Sequence, residues 1–152
     1  KADEKQEYVD YGVKRVADLS AEQIKEALLA AGLWPALMQR PYGIIANPEV
    51  KPKAIFVSAF STAPLAASPE FTLQADVAHI QTAIDALGKL TEGGVHLSLN
   101  SANYSGTPFH KLTGVVAHTF TGNHPAGNVG VQIHHISPIR KGETLFCGGT
   151  GS

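Results

Sequence analysis

The sequence is short of cysteine, methionine and charge. Its single cysteine, Cys147, excludes an internal disulfide, a cysteine-built zinc site and a self-contained iron–sulfur cluster. Charged side chains are 16% of the 152 residues, against a usual ~25%. That deficit predicts that part of the surface meets something other than water. Neither sign of charge is in excess: the formal net charge is -1, so no basic footprint points to nucleic acid or an anionic membrane surface. No apolar run reaches the ~20 residues of a membrane span; the stretch 54–67 is broken by Ser58, Ser61, Thr62 and Pro64. The chain opens on charge, at Lys1, Asp3, Glu4 and Lys5, unlike a secretory leader, and its one methionine is Met38. Together these features predict a soluble, cytoplasmic piece of a longer polypeptide. It is one domain in size, long enough to bury roughly two thirds of its unfolded surface.

What is present is periodic. Ser20 and Gln23 form a capping box, Ile24, Ala27, Leu28 and Ala31 make one buried stripe, and Gly32 provides the stop, which predicts a helix over 20–32. Pro35 then opens a short second turn carrying Leu37 and Met38. Residues 54–60 are an apolar run of strand length, interrupted at Ser58, the pattern of a strand covered on both faces. Beyond a loop with Pro64 and Pro69, the spacing of Leu73, Val77, Ile80, Ile84 and Leu87 predicts one long helix, ended by Gly93 and Gly94. Residues 95–99 alternate as a strand, Thr107 and Pro108 open a helical turn to Leu112, and 115–120 is a third strand. Residues 129–136 fit a strand and a helix face equally well.

Strands alternating with helices predict an α/β chain: a three-layer, Rossmann-like domain with a mainly parallel sheet. Residues 1–18 read as an extension or linker and 19–144 as the domain. The glycine-rich end, 145–152, reads as a flexible tail or an added sequence.

In such a fold a nucleotide is expected beyond the carboxyl ends of the strands. After the first long strand the turn reads Ser61, Thr62, Ala63, Pro64, with no glycine and one missing N–H donor, a poor phosphate cradle. After the third, residues 122–129 copy the glycine spacing of a P-loop. Asn128 stands in place of its lysine, and Val129 in place of its hydroxyl. Gly122, Gly127 and Asn128 therefore read as a tight turn, with a weak anion site on bare N–H groups as the other reading.

His134 and His135 are adjacent and point to different faces, with no acid or cysteine in helical reach, so no metal is expected. His79, His96, His110, His118 and His124 are scattered. No nucleophile is expected either. Ser58 lies inside a strand rather than on an elbow. Asp76 and Asp85 lie about 13 Å apart along a helix, too far for a glycosidase pair. Cys147 has no basic neighbour closer than Lys141 and Arg140. Trp34, Arg40 and Tyr42, around Pro35 and Pro41, form the one cluster that could clamp a planar ring; the favoured reading is a plug over the sheet.

Four stretches together carry a resemblance: Gly32-Leu33-Trp34-Pro35-Ala36-Leu37, Arg40-Pro41-Tyr42, Ala54-Ile55-Phe56-Val57-Ser58-Ala59 with Pro64-Leu65-Ala66-Ala67, and His124-Pro125-Ala126-Gly127. In this order and spacing the chain resembles the A subunit of the sodium-translocating NADH:quinone reductase (Na+-NQR), a bacterial respiratory complex, over about residues 19–141. The resemblance implies the middle domain of a longer subunit, without its barrel-like amino-terminal part and its ubiquitin-like and helical carboxy-terminal parts. Residues 145–152 depart from the expected continuation.

The layout is also similar to the flavin- and NADH-binding subunit of complex I and its Rnf relative. There a glycine-rich loop holds the FMN phosphate, and an acidic stretch follows the next strand. Here the loop reads 33–40 with Trp34, Pro35 and Arg40 where glycines allow close approach, and 58–64 holds no carboxylate. The residues thus predict a cofactor site that has been filled in.

The resemblance implies a complex that couples NADH oxidation and ubiquinone reduction to Na+ export. FMN, FAD, riboflavin and Fe–S centres are expected in other subunits and none in this domain. Its partners would be the other Na+-NQR subunits, at the cytoplasmic side of the inner membrane, with a quinone contact at 34–42. The alternative is a nucleotide- or FMN-binding oxidoreductase domain with an atypical loop.

Overall fold

A computed structural model describes residues 10, 12–73, 75–102 and 107–149. The leading helix α1 (Ala21–Ala30) forms as its sequence requires. Ser20 accepts from the Gln23 backbone N–H, Gln23 returns the bond to the Ser20 N–H, and Gly32 takes φ +70° just beyond the end. The turn opened by Pro35 is shorter than expected. A 3-10 turn, Trp34–Ala36, passes straight into strand β1 (Met38–Arg40), which folds back through a hairpin to β2 (Ile44–Ile45). Next come β3 (Ile55–Ser58), a single helical turn α2 (Pro69–Thr72), and α3 (Val77–Lys89). The one long helix expected from Leu73 onward is therefore two. Leu73 closes α2 by donating its N–H to the Pro69 carbonyl, and the apolar stripe of α3 starts at Val77. Strands β4 (Val95–Asn100) and β5 (Val115–Phe120) lie where alternation put them, with a 3-10 turn Pro108–Lys111 between. Residues 129–136 resolve as a helix, α4 (Val129–Ile136).

The expected flexible tail is corrected. Leu145–Gly149 is strand β6, and Leu145, Phe146 and Cys147 are buried. The six strands run in the order β2-β1-β6-β3-β4-β5, with β6, β3, β4 and β5 parallel, β1 antiparallel to β6, and β2 antiparallel to β1. Strand β6 is thus an inner strand, paired to β3 from Ile55–Phe146 onward and to β1 from Met38–Cys147 onward. The 3-10 turn lies beside β6: a Cβ on Gly148 would be in ordinary van der Waals contact with the Ala36 carbonyl, at 3.6 Å.

The layers follow from which residues alternate inward. On one face Ile24, Trp34, Leu37, Ile55, Leu90 and Phe146 pack together under α1 and α3. They continue into Ile84, Leu97, Leu99, Phe109 and Leu112. On the other face Ala54, Phe56, Leu145 and Cys147 pack against Ile133 of α4. This is the three-layer, Rossmann-like α/β arrangement. The chain runs β3 to β4 on one side and then returns to place β6 on the other side of β3, so the order reverses between β6 and β3. That reversal is where a ligand crevice opens in folds of this kind. Residues 16–18, read as part of the leading extension, form a 3-10 turn tied to the body: Lys89 Nζ donates to the carbonyls of Val16, Ala17 and Leu19 at 2.6–2.8 Å.

Two outcomes follow. A chain ended after Glu143 loses an inner strand and should give no cooperative urea transition, whereas loss of a tail would leave it intact. Trp34→Ala removes a buried indole and should destabilise by about 3–5 kcal/mol in urea titration.

Candidate functional site

The crevice between β6 and β3 is bounded by three segments: the chain leaving β3, the turn between β5 and α4, and the 3-10 turn ahead of β1. After Ser58, the chain stays inside: Ala59 and Phe60 are buried, the Ala59 N–H bonds the Ser98 carbonyl, and Ser58 Oγ donates to the Phe60 carbonyl at 3.1 Å. The next residues meet the β5–α4 turn. Gly127 donates its N–H to Thr62 Oγ1 at 3.0 Å, and a Cβ built on Gly127 would sit 2.4 Å from the Thr62 nitrogen. Only a glycine lets these two backbones touch. His124 Nδ1 lies 3.4 Å from the same hydroxyl.

Two more amides of the turn are also engaged. Ala126 donates to the Asn123 carbonyl and Asn128 to the Pro125 carbonyl, while the Asn128 side chain accepts from Gly130 N–H and caps α4. Of the three residues read as an anion turn, Gly127 and Asn128 therefore have their N–H groups bonded within the chain. Gly122 holds the turn with φ +142°. Gln132 is fully buried beneath, its Nε2 donating to the Ala126 carbonyl at 3.2 Å and its Oε1 without a donor.

The third wall divides the predicted cluster. Trp34 is buried, its indole N–H donates to the Ala46 carbonyl at 2.6 Å, and its ring meets Phe146 edge-on at 6.2 Å. Pro35 is exposed. Arg40 is half-buried on β1, and Tyr42 is exposed at the hairpin turn. Trp34 and Tyr42 therefore do not act together: the first is core, the second faces out.

One pair escaped the sequence reading. His96 and His118 lie on neighbouring strands, two positions out of register, with Nδ1 of one 2.9 Å from Nε2 of the other; Phe56 stacks on His96 at 4.6 Å. With both rings neutral, one N–H can serve the other's lone pair; two protonated rings would set N–H against N–H. Both imidazoles are held below their ordinary value, by burial first, and for His96 also by the charge of His118, against a smaller opposing hydrogen bond to the Gly93 backbone. Alternation placed each on the same kind of strand position, but only the β4–β5 register makes them neighbours. His134 and His135 stay exposed on the last turn of α4. Among the described residues no three His, Cys, Asp or Glu side chains are grouped as a metal would need. Cys147, expected in a tail, is buried in β6.

A family model described as the NqrA second alpha/beta domain matches residues 19–148, so the similarity continues beyond residue 141 and into β6. The A subunit of the Na(+)-translocating NADH-quinone reductase of Pseudomonas aeruginosa is 38% identical over 144 residues, 95% of this chain and 32% of that protein. Its counterpart in Serratia proteamaculans is 37% identical over 145 residues, with the same coverage. That of Cellvibrio japonicus is 36% identical over 136 residues, 90% of this chain and 30% of that protein. The chain thus spans about a third of the length of these relatives.

The closed crevice and the histidine pair each generate a measurement. Gly127→Ala drives a Cβ into backbone and should destabilise by at least about 1–3 kcal/mol in urea titration. For the pair, folded pKa values below 6.5 mean that the unfolded chain takes up protons first as the pH falls. Stability is therefore full above pH 6.5 and declines as the pH drops from there through the lower folded values. Melting curves from about pH 7 to 5 should show this decline, and His118→Gln should flatten it.

Proposed function

The chain belongs to the family of the NqrA second alpha/beta domain, and on that footing we propose that it is a cofactor-free docking domain within the A subunit of a Na+-translocating NADH:quinone reductase. The complex would couple NADH oxidation and ubiquinone reduction to Na+ export. In this reading the flavins and Fe–S centres reside in other subunits, and the domain contributes surface rather than chemistry. The observation that carries the proposal is the contact of Thr62 with Gly127, where hydroxyl, N–H and backbone close on one another at the strand ends. A pyrophosphate needs those N–H groups turned outward. The 58–64 stretch without a carboxylate supports the same reading. No observation favours the alternative of a nucleotide- or FMN-binding oxidoreductase domain.

Among the described residues no helix is long and apolar enough to cross a membrane. We place the domain at the cytoplasmic side of the inner membrane, held there by the other subunits. Low overall charge fits a surface that is covered on assembly. A quinone contact at 34–42 would fall to the outer part of the segment, Arg40 and Tyr42, because the Trp34 indole is enclosed.

Titration with FMN and with NADH tests the cofactor-free reading. A ligand at 100 times its Kd adds about 2.7 kcal/mol to stability, which a melting curve resolves. The expected result is an unchanged melting temperature and a colourless protein. A rise in melting temperature, or a yellow protein after gel filtration, would overturn it.

A further inference from the structure

We propose that the β1–β2 hairpin is the face by which this domain grips its partner subunit, and that the partner supplies a carboxylate set among apolar side chains. The inference rests on the docking reading above and assigns it a place.

Composition is the first ground. From residue 33 to 48 the chain carries one charged side chain, Arg40, and no acid. The same stretch holds four of the nine large apolar side chains that stand strongly exposed among the described residues: Leu33 (60%), Tyr42 (75%), Ile44 (53%) and Ile45 (54%). An edge hairpin is an unusual place to concentrate such groups unless something covers it.

Geometry is the second. Ile45 pairs with Met38, and alternation along β1 sets Met38 and Arg40 on one sheet face, so Ile45 and Arg40 share it. Arg40 stands opposite Leu145 of β6, and its guanidinium lies over the hairpin turn, a terminal nitrogen 3.9 Å from where a Gly43 Cβ would be. Arg40 Nε is shut off from water without an acceptor, and none of the ion pairs among the described residues involves Arg40. A half-buried guanidinium that forms no ion pair is matched by a planar carboxylate, which takes two parallel N–H bonds. Tyrosine and arginine flanked by isoleucine are also the side chains that anchor protein interfaces. Charge and shape together therefore select an acidic, apolar protein segment.

The test uses the full-length protein in its assembled complex. A photo-crosslinking benzoylphenylalanine replaces Tyr42, and in a separate sample Val116, which is exposed on the opposite edge strand β5. The Tyr42 position should cross-link to a neighbouring subunit, within a peptide containing Asp or Glu. Arg40→Glu should lower the yield at least tenfold, and Arg40→Gln, which keeps the bulk of the side chain without its charge, should lower it similarly at an unchanged melting temperature. Cross-linking from Val116 and none from Tyr42 would overturn the hairpin assignment and leave the docking reading standing. Cross-linking from neither would overturn both. A Tyr42 cross-link to quinone or lipid, or one indifferent to both Arg40 variants, would overturn the carboxylate-bearing partner.

Discussion

The structure depends on the double pairing of β6. Leu145, Phe146 and Cys147 are shut in between β3 and β1, hydrogen-bonded on both sides and packed on both faces, Phe146 against Trp34 and Leu145 against the α4 layer. Parallel strands need long crossovers, and this one is supplied by α4, which carries the chain from the outer strand β5 back across the sheet. Removing β6 would unpair the hairpin from the sheet and uncover both layers at once.

The same insertion shapes the crevice. With β6 beside β3, the strand order reverses at a point where related architectures receive ligands. Here its boundaries are used by the protein itself. The Thr62 hydroxyl takes the Gly127 N–H, and the Ala36 carbonyl lies against Gly148. What remains outward is the hairpin beyond β6, with Arg40, Tyr42 and two isoleucines. A site for a small molecule and a site for a protein differ in this way: the first needs convergent free donors in a concavity. The second needs exposed anchors on a firm edge.

Much of this was legible along the chain, and the failures have a common cause. The Ser20–Gln23 box, the stop at Gly32 and the alternation of 95–99 and 115–120 are local, and each formed where it was read. Four resemblance stretches were enough to indicate the family, and the absence of a glycine or carboxylate after β3 was plain from the letters. Strand β1 was missed because Met38–Arg40 is three residues long and is stabilised by partners about a hundred positions away. Strand β6 was missed because its glycines weaken a β pattern. His96 and His118 stand 22 residues apart, and nothing in either neighbourhood declares the register that joins them.

The sequence by itself determined the α/β class, the helix caps, the family and the low charge, because these rest on composition and on periods of two to four residues. Tertiary structure alone decided that the glycine-rich end is an inner strand, that Trp34 turns inward while Tyr42 turns out, and that Thr62 meets Gly127. Those outcomes depend on which distant backbones pair. Pairing is chosen by the burial and hydrogen bonding of the whole sheet, which no short window of residues contains.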